Sequence, residues 1–217
     1  MLMTVKDPVS GYSHLAGAVL SIAALVTLIN ISVTNSSAWH IVSFSIYGVS
    51  MFLLYLASSL YHLIPLQEKG TKRLKRFDHV MIFMMIAGTY TPFCLVPLRG
   101  AWGWSIFGVV WGIAALGIAF KLFFIHASRW YSTALYVLMG WICIVAIYPI
   151  VQKVPVGGVF WLAAGGVSYT VGAVIYAMKK PNPLPGVFGF HEIWHFFVLG
   201  GSFCHFIVMI KYLVWIK

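Results

Sequence analysis

The amino-acid sequence predicts an all-α integral membrane protein, a seven transmembrane helix bundle that forms a single domain over residues 1–217. The composition is 61% hydrophobic and only 8% charged, whereas a water-exposed globular domain carries about 25% charged residues. No Asp, Glu, Lys or Arg occurs between Asp7 and Glu68. The apolar residues also fall into runs of roughly 20, the helix length that crosses a bilayer core about 30 Å thick. A cytosolic enzyme, a disordered tail and a nucleic-acid-binding module are therefore excluded.

Seven apolar runs, separated by polar, basic or Pro/Gly breaks, mark the predicted spans. They cover residues 14–33, 40–63, 77–97, 102–123, 131–150, 156–178 and 187–214. The breaks lie at 34–37, at the basic stretch 67–76, at Arg99, at 126–129, at 153–155 and at 179–185. Each run is continuously apolar, which predicts helices, because strands of a membrane barrel alternate apolar and polar residues. The second run follows the first directly, so we expect the first to be an uncleaved span rather than a signal sequence.

The cations predict the orientation of the bundle. With the N-terminus on one side of the membrane, that side holds Lys6, Lys69, Lys72, Arg73, Lys75, Arg76, Lys121, Arg129, Lys179 and Lys180. The other side holds Arg99, Lys153, Lys211 and Lys217. Lys and Arg are enriched in cytoplasmic loops, so we expect the N-terminus in the cytoplasm and the C-terminus outside.

Ionisable side chains inside a span are candidates for function, because each costs at least ~2.5 kcal/mol to insert. Two acids qualify: Asp78 at the start of the third span and Glu192 in the seventh. Ser58 and His62 are four residues apart at the end of the second span, and therefore share a helix face. His191 and His195 have the same spacing near the start of the seventh, a common way for one helix to offer two imidazoles to a metal.

The predicted topology brings these groups to the cytoplasmic ends of three helices. Three neutral imidazoles and a water form a tetrahedral zinc site of the catalytic type, so we expect zinc bound by His62, His191 and His195. Asp78 is then placed to act as general base or acid on that water, and Ser58 to hydrogen-bond the water, Asp78 or a developing oxyanion.

The other histidines and the cysteines are interpreted as structural, except that His79 is a candidate for a second-sphere group beside Asp78. They are His14, His40, His126 and His205, with Cys94, Cys143 and Cys204 as free buried thiols.

Four motifs taken in order resemble the hemolysin III family, the bacterial branch of the progestin and adipoQ receptor superfamily, which includes the adiponectin receptors. They are Tyr12-Ser-His-Leu-Ala-Gly17, Ser58-Ser-Leu-Tyr-His62, Arg76-Phe-Asp-His79 and His191-Glu-Ile-Trp-His195. The similarity extends over essentially the whole chain.

This resemblance implies seven helices, a cytoplasmic N-terminus and zinc bound by His62, His191 and His195, with Asp78 and Ser58 around its water. It also implies kinship with alkaline ceramidases, and hence hydrolysis of a lipid amide or ester by zinc-activated water. For the bacterial branch it implies a role in membrane-lipid or energetics homeostasis, in the bacterial plasma membrane. The expected partners are membrane lipids, with anionic headgroups at the basic loop Lys69 to Arg76.

Three alternatives remain open on the sequence. A non-enzymatic membrane sensor would use the zinc structurally, to join the second, third and seventh helices. An intramembrane protease would use His191-Glu-Ile-Trp-His195 as an H-E-x-x-H motif with Glu192 as general base. Its third ligand is missing at the position typical of metzincins, where the chain has Gly201. A pore-forming hemolysin would need polar stripes, which the spans lack.

Overall fold

The computed structural model describes residues 5–123 and 129–217, and these residues are almost entirely helical. The helices are α1 (Pro8–Asn35), α2 (Ala38–Leu63), α3 (Glu68–Leu95), α4 (Ala101–Phe123), α5 (Arg129–Gly140), α6 (Ile147–Lys153), α7 (Val156–Met178) and α8 (Phe190–Lys211). Two 3₁₀ segments, Trp141–Ala146 and Leu213–Trp215, complete the described structure. His126 lies outside the described residues.

The structure confirms an all-α protein with several membrane-spanning helices. Six segments of the described chain are long and apolar enough to cross a bilayer: Pro8–Asn35, Ala38–Leu63, Ala101–Phe123, Trp130–Lys153, Val156–Met178 and Phe190–Trp215. The predicted third span, residues 77–97, lies in α3 except for its last two residues, and α3 is not among these six.

The sequence predicts a loop from Lys69 to Arg76. In the structure these residues instead form the first turns of α3. Lys and Arg are good helix formers, and Glu68 in the first turn is favourable at a helix N-terminus. Glu68 Oε1 also accepts a 2.6 Å bond from Lys72 Nζ one turn later. This contact lowers the pKa of Glu68, which lies in water at the helix start.

The predicted fifth span, 131–150, is interrupted in its middle by the first 3₁₀ segment. The cause is Tyr90 of α3, whose hydroxyl lies 2.6 Å from Gly140 O and accepts a 2.9 Å bond from the backbone N–H of Cys143. A side chain that enters the backbone ladder in this way interrupts a regular α-helix. The segment thereby packs on α3 at its midpoint, and not only on α7.

The helices form a ring in which α1 to α4 pack in chain order, α1 also contacts α8, α8 packs on α7, and α7 on α5. The N-terminus of α1 is fixed at the C-terminal end of α2, where the Asp7 N–H donates to His62 O over 3.0 Å. Gly11 permits this approach, because a Cβ there would collide with the Leu63 side chain. The starts of α1 and α8 and the end of α2 therefore meet at one end of the bundle.

Candidate metal centre

His62 lies in the last turn of α2 with only 2% of its surface exposed. Its Nδ1 is 2.9 Å from Asp7 Oδ2. A carboxylate only accepts hydrogen bonds, so the ring hydrogen lies on Nδ1 and the lone pair on Nε2. The protein thus fixes both the tautomer of His62 and the direction of its Nε2, an arrangement typical of metal-binding histidines.

His195, on the second turn of α8, is fixed in the same way by the backbone of α1. It is also 2% exposed, and its Nδ1 lies 3.2 Å from Ser10 O. Because a carbonyl oxygen is an acceptor, Nδ1 donates and Nε2 keeps its lone pair. His191 lies one turn earlier on α8, with ring centroids 4.7 Å apart between the two imidazoles.

The three imidazoles converge on one point. Their ligating nitrogens lie within 4.8 Å of one another, and His62 Nε2 is 3.2 Å from His191 Nε2. Two nitrogens at zinc–nitrogen distances of 2.0–2.1 Å in tetrahedral geometry are about 3.3 Å apart, so this pair is already at ligation distance. Neutral imidazole nitrogens suit zinc and other divalent transition metals. The donor set therefore fits the metal that the sequence predicts.

Ser58 and Asp78 lie beside this cluster without belonging to it. Ser58 is 1% exposed one turn before His62, and its hydroxyl acts as a hydrogen-bond donor to the Asp78 carboxylate from α3. Asp78 is not one of the clustered metal-binding groups. Its side chain keeps 15% of its surface exposed and lines the same cavity as the three imidazoles. Asp78 is thus positioned to act on a molecule in this cavity.

The cavity has a volume of about 820 Å³, which falls in the range of sites for small molecules and lipids. It begins at Asp7 and His62 and extends between the helices to Leu98 and Ile106, near the other end of the bundle. Most of its intermediate lining is apolar, including Ile86. The candidate metal centre lies at the polar end of this apolar chamber.

A scan against protein families matches residues 3–206 to the family described as "Haemolysin-III related". The chain is 43% identical to "Hemolysin-3 homolog" of Bacillus subtilis over 98% of this chain and 97% of that protein. It is also 43% identical to "Hemolysin-3" of Bacillus cereus, over 99% and 95%. The chain belongs to the hemolysin III family. More distantly, it is 27% identical to "ADIPOR-like receptor IZH2" of Saccharomyces cerevisiae, over 92% of this chain and 69% of that protein.

In this hemolysin III protein two partners of the histidines are not identified by sequence reasoning, namely Asp7 at the N-cap of α1 and Ser10 in its first turn. Asp7 lies outside the predicted spans, and Ser10 participates through its backbone carbonyl. The sequence does offer a reason to consider Asp7. It is one of only four acids, and it precedes the first span on the side of the membrane where the site is predicted. A backbone carbonyl has no sequence signal.

The sequence predicts a structural role for His14. The structure places its ring against His195, one of the three clustered imidazoles. Its ring stacks on that of His195, with centroids 3.7 Å apart and planes at 14°. The edge of Tyr55 packs on its other side at 5.0 Å. His14 lies in the second turn of α1, whose N-cap residue is Asp7. His79, in contrast, directs Nδ1 to the backbone oxygen of Lys75 at 2.6 Å.

Both carboxylate oxygens of Glu192 are engaged away from the imidazoles. Oε2 accepts a 2.8 Å bond from the Gly189 N–H and so caps α8, while Oε1 accepts a 2.8 Å bond from the Ser10 hydroxyl. Glu192 therefore orients α8 against α1. This is a different use from that of the glutamate in an H-E-x-x-H protease, which activates water.

Proposed function

We propose that this hemolysin III protein is a zinc-dependent membrane hydrolase that cleaves an amide or ester bond of a membrane lipid. The observation that carries the proposal is the convergence of three imidazoles, two of them with fixed tautomers, at the polar end of an apolar cavity. His62, His191 and His195 would hold the metal. A bound zinc supplies a water that is acidic enough to lose a proton near neutral pH, and it polarises a carbonyl oxygen.

The remaining chemistry falls to the chain's own residues. The Asp78 carboxylate takes a proton from the attacking water and passes it to the leaving nitrogen or oxygen as the carbonyl–heteroatom bond breaks. The Ser58 hydroxyl orients Asp78 through the hydrogen bond between them. The products are a carboxylic acid and an amine or alcohol, so the step balances with water as the only co-reactant.

The cavity supports a lipid as the substrate. It extends as a mainly apolar chamber of about 820 Å³ from the imidazoles toward the opposite end of the bundle, which suits an acyl chain whose carbonyl lies at the imidazoles. A ceramidase-like reaction has these requirements, and a role in membrane-lipid or energetics homeostasis follows from it. The names of the Bacillus relatives record hemolysis, a property of those proteins.

We also propose that α3 is a seventh span in the bacterial plasma membrane, with the N-terminus cytoplasmic. Ten of the 14 Lys and Arg residues lie on the side that this topology makes cytoplasmic. The basic first turns of α3, from Lys69 to Arg76, then lie at the inner membrane surface. Each cation there contributes about 1 kcal/mol of attraction to anionic headgroups.

A structural zinc in a non-enzymatic sensor is the second candidate, and one observation favours it. The imidazoles and their partners come from α1, α2 and α8, so a metal at this point would join three helices. The two functions differ in what they require of Asp78, because Asp78 is not part of the imidazole cluster.

The experiment compares bacteria that lack the endogenous protein and express wild type, Asp78→Asn or Ser58→Ala at equal levels. Untargeted lipidomics reports the lipids, and elemental analysis of the purified proteins reports the metal. We expect a fatty acid and its amine or alcohol co-product to accumulate with wild type only. We expect Asp78→Asn to keep its zinc and to reduce product at least about 100-fold, the effect typical of a missing general acid–base. Ser58→Ala should give an intermediate loss.

Two outcomes overturn the proposal. If the lipid profiles of wild type and Asp78→Asn coincide while both proteins bind zinc, the metal is structural. If wild-type protein purified from zinc-replete cells binds no metal, the histidine cluster has another role. Lys180→Gln, at an exposed residue after α7, serves as the matched control for expression and should leave both measurements unchanged.

A further inference from the structure

Lys121 in the last turn of α4 is a buried cation, with only 4% of its surface exposed. Among the described residues it has no carboxylate within ion-pair distance, since the lysine ion pairs there are Lys6 with Asp7 and Lys72 with Glu68. A buried ammonium without a partner is costly, so such groups pair with an anion. Within the described part of the chain, Lys121 is thus a buried cation without a paired anion.

Ser132 on α5 lines the same two spaces as Lys121. It is 5% exposed, and its buried Oγ makes no hydrogen bond to any of the residues that the structure describes. A hydroxyl and an ammonium are both donors, so one acceptor with several oxygens satisfies the two together. Phosphate and carboxylate groups are such acceptors.

Lys121 and Ser132 stand at the junction of two spaces. Both line the 820 Å³ internal cavity, and both line a second, more open groove of about 350 Å³ between α4 and α5. The rest of this groove is lined mainly by apolar side chains, namely Phe83, Phe120, Tyr131, Ala134, Leu135 and Leu138. An apolar groove that ends at an unpaired cation matches the two parts of a lipid.

The local charge strengthens this match. Lys75 lines the internal cavity and interacts electrostatically with both Lys121 and Asp78. Lys75 and Lys121 therefore repel each other, and the interaction with the Asp78 carboxylate is made by Lys75. An anion beside Lys121 would relieve the repulsion between the two.

We propose that Lys121 and Ser132 bind the anionic headgroup of a phospholipid from the surrounding bilayer, with an acyl chain in the groove between α4 and α5. Lys121 Nζ and Ser132 Oγ donate to the phosphate oxygens. We assign a bilayer lipid, rather than free phosphate, because the adjoining groove is apolar. The proposed site uses none of the three imidazoles and does not depend on hydrolysis.

The test measures lipid bound to purified protein reconstituted in nanodiscs of phosphatidylcholine with a minor fraction of phosphatidylglycerol. After mild detergent extraction, native mass spectrometry counts the phosphatidylglycerol that remains bound. We expect wild type to retain it over phosphatidylcholine, and Lys121→Gln to reduce retention at least fivefold. Lys121→Arg should restore retention, and Ser132→Ala should reduce it about twofold. Lys180→Gln, which removes an exposed cation, is the matched control and should retain as wild type.

Three results overturn the proposal. The first is that wild type and Lys121→Gln retain equal amounts of phosphatidylglycerol. The second is that Lys180→Gln loses as much phosphatidylglycerol as Lys121→Gln. The third is that millimolar inorganic phosphate displaces the lipid completely. If Lys121→Gln unfolds, as judged by gel filtration, Lys121→Arg against Ser132→Ala supplies the same contrast. The measurement is repeated in Asp78→Asn, which should retain the lipid as wild type does. A failed hydrolase and a failed lipid site are thereby distinguished.

Discussion

The two ends of the bundle use buried histidines in different ways. His40, at the start of α2, has both nitrogens occupied by the protein: Nδ1 is 2.9 Å from Ser37 Oγ, and Nε2 is 3.2 Å from Leu213 O. At the other end, His62 and His195 each use Nδ1 for an outer partner and direct the second nitrogen into a shared cluster. His40 is 3% exposed, and His62 and His195 are each 2% exposed.

Burial therefore does not separate a structural histidine from a metal-binding one. The difference lies in the second nitrogen. In His40 it completes a contact that joins the start of α2 to the C-terminal segment, so a metal has nothing to bind. In the cluster, His62 Nε2 faces His191 Nε2 at 3.2 Å, and a shared metal ion, as proposed above, would satisfy both.

The largest expected effect is the loss of metal on removing one imidazole of the cluster. His195→Ala takes away one of three ligands, so we expect bound zinc to fall from about one equivalent to near zero. The fall in affinity should exceed the roughly 10–100-fold that the loss of an outer partner causes. Elemental analysis of purified protein measures it.

His40→Ala is the matched control at the other end of the bundle. It should keep the full zinc content and lower the free energy of unfolding by about 1–3 kcal/mol, because it leaves the Leu213 carbonyl and the Ser37 hydroxyl without their partner. If His40→Ala loses as much zinc as His195→Ala, the prediction that only the histidines at the His62 end of the bundle bind metal is wrong.

A smaller effect is expected from Asp7→Asn, which keeps the shape of the side chain and removes its charge. The amide is a weaker acceptor for His62 Nδ1–H, so we expect zinc affinity to fall about 10–100-fold without loss of the fold. Competition with a chelator of known affinity measures the change. Glu68→Gln alters an exposed acid at the same end and should leave the affinity unchanged; an equal drop in both variants would contradict the role of Asp7.

The smallest effect is expected from Glu192→Gln. The amide oxygen of glutamine can still accept from the Gly189 N–H, and the amide NH2 can donate to Ser10 Oγ, because a hydroxyl both donates and accepts; one of the two contacts is therefore kept and the other is reversed. We expect zinc content to stay at the wild-type level and lipid hydrolysis to change by no more than about threefold. A loss of about 100-fold with zinc retained is what a general base at this position would give, and it would contradict the purely orienting role assigned to Glu192.

The sequence predicts the helices well, because spans need long apolar runs and such runs are legible without any tertiary information. The predicted sixth span, residues 156–178, coincides with α7, and the second differs from α2 by two residues at its start. The i, i+4 pairs Ser58/His62 and His191/His195 are also predictable from sequence, because the geometry of a single helix places residues with this spacing on one face.

Contacts between distant segments are less predictable. The break in the fifth span depends on Tyr90, about 50 residues earlier in the chain, whose hydroxyl enters that segment's backbone. The partner of His195 is a main-chain oxygen, and the stacking of His14 on His195 requires the α1–α8 contact. The first turns of α3 are not predicted when Lys and Arg are interpreted only as indicators of topology, although both residues also favour helix formation.

The pairing of α1 with α8 has a consequence for biosynthesis. The first helix to leave the ribosome supplies Asp7 and the Ser10 carbonyl, and the last supplies His191 and His195. A nascent chain that stops short of α8 has a single imidazole of the three and no means of retaining zinc. If the cluster holds zinc as proposed, metal capture is the final event of assembly, and the metal content of a preparation would report the fraction of molecules in which α1 and α8 have paired.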